Sequence, residues 1–319
     1  PLTKIDASGA TGTVNVSAAS ADSGVTVTPG SDALTVTLGD GADTVTGTKK
    51  ADDITTGKGN DTITGMGGDD TVDAGAGDDK VTLTDGDNDV TLGAGADTLT
   101  AGDGDNTVTN TSGNTTVTLG NGVNNVTNTA GNMTLVTGSA IDTITNTAGN
   151  ADITSGAGND VITNTAGNST IDAGAGNDSI TLTAGNSNVD AGAGNDTIAL
   201  GSGNDTVDGG DGTDTATFSQ GSGSFKSSIS NVESVTATMT AAGTIDMANI
   251  VGATTIKATA NATASAVTIK TIADGTTLNV SDDLAEDSAT GNIGSLTLDT
   301  VDGGDLTLHV LGNQEAAIM

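Results

Sequence analysis

The 319-residue sequence contains no cysteine, tryptophan, tyrosine or arginine, and only two phenylalanines, two prolines and one histidine. Without cysteine there is no disulfide framework, no thiolate metal site and no thiol nucleophile. Aromatic side chains bury the largest areas per residue, so two of them cannot supply the core that a globular chain of this length normally builds. Eight lysines stand against 41 acidic residues, and the resulting net charge of −33 opposes contact with phosphates. Nucleic acid is therefore not an expected partner. Nor is membrane insertion expected, because no apolar run approaches the ~18 residues of a spanning helix. Glutamate is scarce as well, with 38 of the acids being Asp.

High charge with few aromatics is the composition of a disordered chain, but such chains favour Glu, Lys and Pro. This one favours Asp, Thr, Val and Gly, with 48 glycines. Asp and Gly build tight turns and β-branched residues build strands, so the composition describes many turns joined by short strands. The chain opens at Pro1 with no initiator methionine and no signal-peptide pattern, which points to a piece of a longer protein.

From Leu38 to Thr217 the chain divides into twenty nine-residue units without insertion or deletion. Position 8 of the unit is Val, Ile or Leu in nineteen of them, from Val45, Ile54 and Ile63 through Ile198 and Val207, with Ala216 the exception. Position 4 is Gly in eighteen units, and position 6 is Asp in twelve. Six Gly- and Asp-rich residues make a turn, and three residues such as Thr-Val-Thr make a short strand whose middle side chain points inward.

Units such as Thr56-Gly-Lys-Gly-Asn-Asp-Thr-Ile-Thr64 and Ala191-Gly-Ala-Gly-Asn-Asp-Thr-Ile-Ala199 resemble the RTX nonapeptide G-G-x-G-x-D-x-U-x, a calcium-binding repeat. The resemblance implies an all-β fold: a right-handed parallel β-roll or β-helix solenoid of about ten 18-residue coils, with turns on two edges. It also implies calcium between successive turns of one edge, held by position-6 carboxylates and backbone carbonyls, a donor set suited to a hard cation taking six to eight oxygens. One aliphatic in nine buries too little to offset the ordering of nine residues, and stacked carboxylates repel, so folding is expected to require the metal.

Sorting units by parity separates the edges. Position 6 on the first reads Asp43, Asp61, Asp79, Asp97, Thr115, Met133, Ala151, Ser169, Ser187 and Asp205; on the second it reads Asp52, Asp70, Asn88, Asn106, Asn124, Asp142, Asp160, Asp178, Asp196 and Asp214. The twelve aspartates are the candidate metal ligands. If one ion needs Asp in two successive turns, the first edge offers three sites and the second five, about eight Ca2+ or more, with weaker Asn-containing sites around Asn88 to Asn124. Eight divalent ions would bring +16 to a repeat region of net charge −23. The Asp-poor turns share another grammar, Asn110-Thr-Ser-Gly-Asn114 and its successors, which aligns Thr111, Thr129, Thr147, Thr165 and Thr183 beside Asn114, Asn132, Asn150, Asn168 and Asn186. Hydroxyl and amide ladders are expected to replace calcium there. Lys49 and Lys50 mark one metal-poor turn.

Residues 1–37 read as a β-rich cap or junction, with strands at Val25–Thr28 and Leu34–Leu38. Residues 218–319 read as a smaller β-rich module, an irregular β-helix or a sandwich, with strands at Val235–Met239, Thr255–Lys257, Val267–Lys270, Thr277–Val280, Ser295–Asp299 and Leu306–Val310. Asp282, Asp283, Asp302 and Asp305 are further calcium candidates in turn-like stretches. Ile229-Ser-Asn-Val-Glu-Ser-Val235 and the strands after it resemble the segment that follows RTX repeats in bacterial S-layer proteins.

No enzyme is expected. His309 is the sole histidine, and with no Cys and no Arg there is no base and nucleophile pair to assemble. Gly65-Met-Gly-Gly68 lacks the Gly-Lys-Ser/Thr of a phosphate loop and is a turn of the repeat. The resemblance implies a calcium-dependent structural protein of a bacterial surface layer that leaves the cell by type I secretion, folds outside and self-assembles into a lattice. Attachment to cell-surface polysaccharide would lie in parts outside this segment. A calcium-stiffened segment of a secreted RTX adhesin or toxin is the alternative. An ice-binding roll is remote, because turn position 3 is mostly Ala, Asp, Ser or Lys rather than Thr.

Overall fold

The structure, a computed structural model, describes residues 2–260, 267–272, 277–282, 296–300 and 307–311, and it forms two compact units, Pro1–Ala173 and Gly174–Met319. Both are parallel β-solenoids. In the first unit one sheet runs from Lys4–Asp6 through Thr44–Thr46 and Thr62–Thr64 to Ser169–Asp172, and the other from Val14–Ser17 through Asp53–Thr55 to Val161–Asn164. Successive strands of a sheet lie one coil of eighteen residues apart, as in Val45↔Ile63, Ile63↔Val81, Ile54↔Val72 and Val126↔Ile144. The strands before Leu38 pair in the same way, Val27 with Val45 and Val36 with Ile54.

In the second unit the strands Ser179–Leu182 and Ser187–Asp190 begin the two sheets. Beyond Thr217 the coil lengthens, so that Val207 pairs with Ile229 and Val235 with Ile256. The added residues form a third parallel sheet of Gly223–Ser224, Gly243–Asp246, Val267–Ile272 and Leu296–Thr300. Of the two architectures left open for this region, the irregular β-helix is the one formed. The 3-10 turn Met247–Asn249 is the one helical element among the described residues. Ser295, Leu306, Asp283, Asp302 and Asp305 lie outside the described residues.

Position 8 is buried in all twenty units, as its alternation with exposed or half-exposed neighbours demands. The repeat buries more than that. Positions 1 and 6 are also buried in every unit, with Leu38, Leu83, Leu92, Leu119, Leu182 and Leu200 at position 1 adding an aliphatic column beside the first. The core thus takes three inward positions per nine residues rather than one. One of the three, position 6, is polar in every unit except those of Met133 and Ala151.

Candidate metal centres

The turns stack too closely for side chains. A Cβ on Gly75 would stand 1.9 Å from the Gly57 oxygen, and one on Gly77 would stand 1.8 Å from the Gly59 oxygen, while both glycines hold positive φ, +92° and +139°. Position 3 links the turns through parallel bridges such as Lys58↔Ala76 and Ala76↔Ala94. The same glycines that permit the turn therefore also hold its carbonyls one coil apart.

Into this stack the position-6 carboxylates point inward in a fixed manner. Oδ1 of each accepts the backbone N–H of the position-6 residue one coil earlier: Asp43 N to Asp61 at 2.6 Å, Asp61 N to Asp79 at 2.8 Å and Asp79 N to Asp97 at 2.9 Å on the first edge. On the second edge Asp52 N bonds Asp70 at 3.0 Å and Asp142 N bonds Asp160 at 2.8 Å; in the second unit Asp178 N bonds Asp196 at 2.7 Å and Asp196 N bonds Asp214 at 2.8 Å. Ser187 N bonds Asp205 at 2.9 Å. The other oxygen, Oδ2, is buried without a donor in Asp43, Asp61, Asp70, Asp79, Asp97, Asp142, Asp196, Asp205 and Asp214 among the described residues.

A buried anionic oxygen without a donor is costly, and it demands a proton or a cation. No group of three or more Asp, Glu, His or Cys side chains converges as a metal cage among the described residues. Fewer carboxylates supplemented by turn carbonyls make an all-oxygen donor set, which suits calcium rather than a transition metal.

The Asn-bearing turns close the same space with an amide. Asn Nδ2 takes the place of Asp Oδ2 on an otherwise identical side chain. In Asn88 it donates to the Gly86 carbonyl at 2.9 Å and to Asn106 Oδ1 at 2.8 Å; in Asn106 to Gly104 at 2.9 Å and Asn124 Oδ1 at 3.0 Å; in Asn124 to Gly122 at 2.9 Å and Asp142 Oδ1 at 3.0 Å. Where Asp stands instead, these acceptors confront another oxygen, the arrangement that a proton or a cation between them would relieve. At Asn88, Asn106 and Asn124, where weaker calcium sites are expected from the sequence, the amides themselves donate to the turn carbonyl and to the next coil's Oδ1.

On the first edge a second amide ladder does the same from position 1. Asn110 Nδ2 donates to Asn128 Oδ1 at 2.7 Å and Gly113 O at 3.1 Å; Asn128 to Asn146 at 2.6 Å and Gly131 at 2.8 Å; Asn146 to Asn164 at 2.7 Å and Gly149 at 2.9 Å. The expected outer column also forms, since Asn114, Asn132 and Asn150 accept from the backbone N–H of Asn132, Asn150 and Asn168 at 3.0 to 3.1 Å. Thr111 donates to Gly93 O at 2.6 Å, whereas Thr129, Thr147 and Thr165 are simply exposed. Asp52 stands apart from the other candidate ligands. Thr48 donates to it through its N–H at 2.6 Å and its hydroxyl at 2.9 Å, so the Lys49-Lys50 turn closes without an ion.

Burial lifts the carboxyls above their usual range, to about 6 in Asp43 and Asp70 and to about 7 in Asp79, with neighbouring carboxylates adding to the rise. Burial raises Asp61, Asp97, Asp160, Asp196, Asp205 and Asp214 too. A carboxyl whose pKa is higher folded than unfolded stabilises the fold below its unfolded value near 4, and that stability is lost as pH rises through 6 to 7. In chelator, β-structure is therefore expected to be greatest near pH ~5 and to fall toward pH ~8. With millimolar calcium the trend reverses, because protons and calcium compete for the same oxygens. Circular dichroism across both titrations checks this, and equal calcium-free stability at both pH values would contradict it.

The family model of the RTX calcium-binding nonapeptide repeat, in four copies, matches residues 46–81, 82–117, 145–179, 154–189 and 182–216, a little under half of the chain. No curated protein matches. The unmatched stretch 118–144 contains Asn124 and Asn128, two of the amides that stand in for the ion.

Proposed function

From the premise that this is a chain of RTX calcium-binding nonapeptide repeats, we propose that it is a calcium-dependent structural component of a bacterial surface layer, folding and assembling into a lattice outside the cell. The observation that carries the calcium part is the row of buried Asp Oδ2 atoms without donors, set against Asn amides that satisfy the same acceptors directly. Extracellular calcium modules bind at ~10⁻⁴–10⁻³ M, so such turns stand empty in the cytosol and fill outside. A chain that is poorly folded before export and rigid after it fits secretion through a narrow channel.

The surface-layer part draws support from the flanks. Strands before Leu38 and after Thr217 pair in parallel with the strands of the repeat, so the flanks extend the solenoid itself. A solenoid surface with regular Thr-rich outer columns suits lateral packing of copies, and the acidic surface makes that packing dependent on divalent ions. Electron microscopy of the native cell surface is expected to show an ordered array that disperses in chelator and re-forms in millimolar calcium. A purified chain that stays monomeric in calcium, with no array on the cell, would replace this reading with that of a spacer in a secreted adhesin or toxin.

A further inference from the structure

The nonapeptide frame ends at Thr217, but the hydrogen-bond pattern of its second edge continues. Asp196 N donates to Asp214 Oδ1 at 2.8 Å, and Asp214 N donates in turn to Glu233 Oε2 at 2.8 Å. Glu233 thus takes the place of the next position-6 aspartate. It lies nineteen residues beyond Asp214 instead of eighteen, and the pairing of Thr215 with Ser234 sets it beside Asp214 all the same. The first edge closes otherwise, with Asp205 N donating to the neutral hydroxyl of Ser227 at 2.9 Å.

The surroundings of Asp214 are those of a cation pocket. The residue is fully buried and its Oδ2 has no donor among the described residues. Asp214 Oδ2 and the Asn231 carbonyl oxygen lie 2.7 Å and 2.1 Å from the point where a Cβ on Gly209 would stand, so the two oxygens are neighbours across that glycine. Asn231 is the one non-glycine residue with positive φ among the described residues, at +50°. Its conformation is held from both sides, its N–H donating to Val251 O at 3.1 Å and its Nδ2 to Asp208 Oδ1 at 2.7 Å. The Glu233 main chain is fixed as well, since its carbonyl accepts from Thr254 and Thr255 at 3.0 Å. Glu233 and Asp208 both act on Asp214 as like charges. The ion pairs among the described residues, Lys4–Asp6 and Lys58–Asp40, lie elsewhere.

We propose that Glu233 is a calcium ligand from outside the repeat, closing a site with Asp214 Oδ2 and the Asn231 carbonyl oxygen. The proposal rests on the calcium reading above and adds one ion to those the repeat supplies. Its consequence is mechanical. The ion joins the last repeat turn to the first longer coil, so ordering driven by calcium passes into coils that have no repeat of their own.

Calcium anomalous diffraction from wild-type crystals is expected to show a peak between Asp214 and Glu233. Peaks at the repeat turns with none here would overturn the site. In solution, E233Q keeps an acceptor for the Asp214 N–H but loses the charge, and is expected to bind one ion fewer by equilibrium dialysis. E233D keeps the charge with a shorter reach and is expected to retain the ion at lower affinity. Equal stoichiometry for wild type and E233Q would also overturn the proposal. Wild type that binds no calcium anywhere would instead overturn the calcium reading on which it rests.

Discussion

In chelator at neutral pH the far-UV circular dichroism of this chain is expected to lose most of its β signal, and to regain it on addition of millimolar calcium. The reason lies in the polar column of the core. Buried Oδ2 atoms recur every eighteen residues from Asp43 to Asp97, and again from Asp196 to Asp214. Each is an unpaired charge away from water, and its neighbours along the edge repel it. The unfolded chain hydrates all of these groups, whereas the folded chain without cations hydrates none, so binding energy gained only in the folded state becomes folding energy.

The loss should not be uniform, because the coils from about Leu83 to Asn168 include steps closed by Asn amides rather than ions. Stability in a solenoid is approximately a sum of nearest-neighbour terms, so a segment with amide-closed steps retains what those interfaces supply. Hydrogen exchange in chelator is expected to leave protection concentrated in that segment and absent from the Asp-closed turns on either side. Equal protection throughout, with or without calcium, would refute both the requirement for metal and its location.

Much of this architecture is legible in the nonapeptide frame. A residue type held at position 8 through twenty units has to face inward, and a two-strand coil then sorts the turns by parity. Position 1 escapes such reading because its occupants are Leu, Ala, Gly, Thr, Ser and Asn, a set with no common hydropathy although every one is buried. A signal is nevertheless present. Asn occurs at position 1 in Asn110, Asn128, Asn146 and Asn164, and in those units position 6 is Thr115, Met133, Ala151 and Ser169, never Asp or Asn. Nineteen of the twenty units thus carry a single Asp or Asn among these two positions, Leu182 with Ser187 being the exception. This is the pattern expected of a space between turns that accepts one ion or one amide but not both.

The other unforeseen features depend on partners that no local pattern names. Asp52 has the position of a ligand, and it takes knowledge that Thr48 folds back onto it to see that its turn is already closed. Strands after Thr217 are readable from alternation, but their parallel pairing and third sheet arise from coil length. Glu233 sits outside the frame by one residue, and only the register shows it to be its continuation.

Replacing Asn128 by Leu is expected to cost the calcium-loaded protein about 2–4 kcal/mol of local stability, far more than a change of shape at this position would. Leu is sterically at home at position 1, being buried there in Leu92, Leu119 and Leu200. What the substitution removes is the amide. Gly131 O, Asn146 Oδ1 and Ala148 O lose the donor that reaches them at 2.8, 2.6 and 3.3 Å, while Asn110 loses one acceptor and keeps Gly113 and Ala130. Each buried group left without a partner costs roughly 1–3 kcal/mol, only partly offset by the added aliphatic surface. Hydrogen exchange over residues 110–168 reads the loss. A second substitution makes the argument specific: N128L with M133D recreates the combination of Leu92 with Asp97 and of Leu200 with Asp205. The double variant is expected to recover protection in millimolar calcium, to bind at least one more ion than N128L, and to be less stable than N128L in chelator. Recovery in chelator as well, or none in calcium, would show that amide and ion do not occupy the same space between the turns.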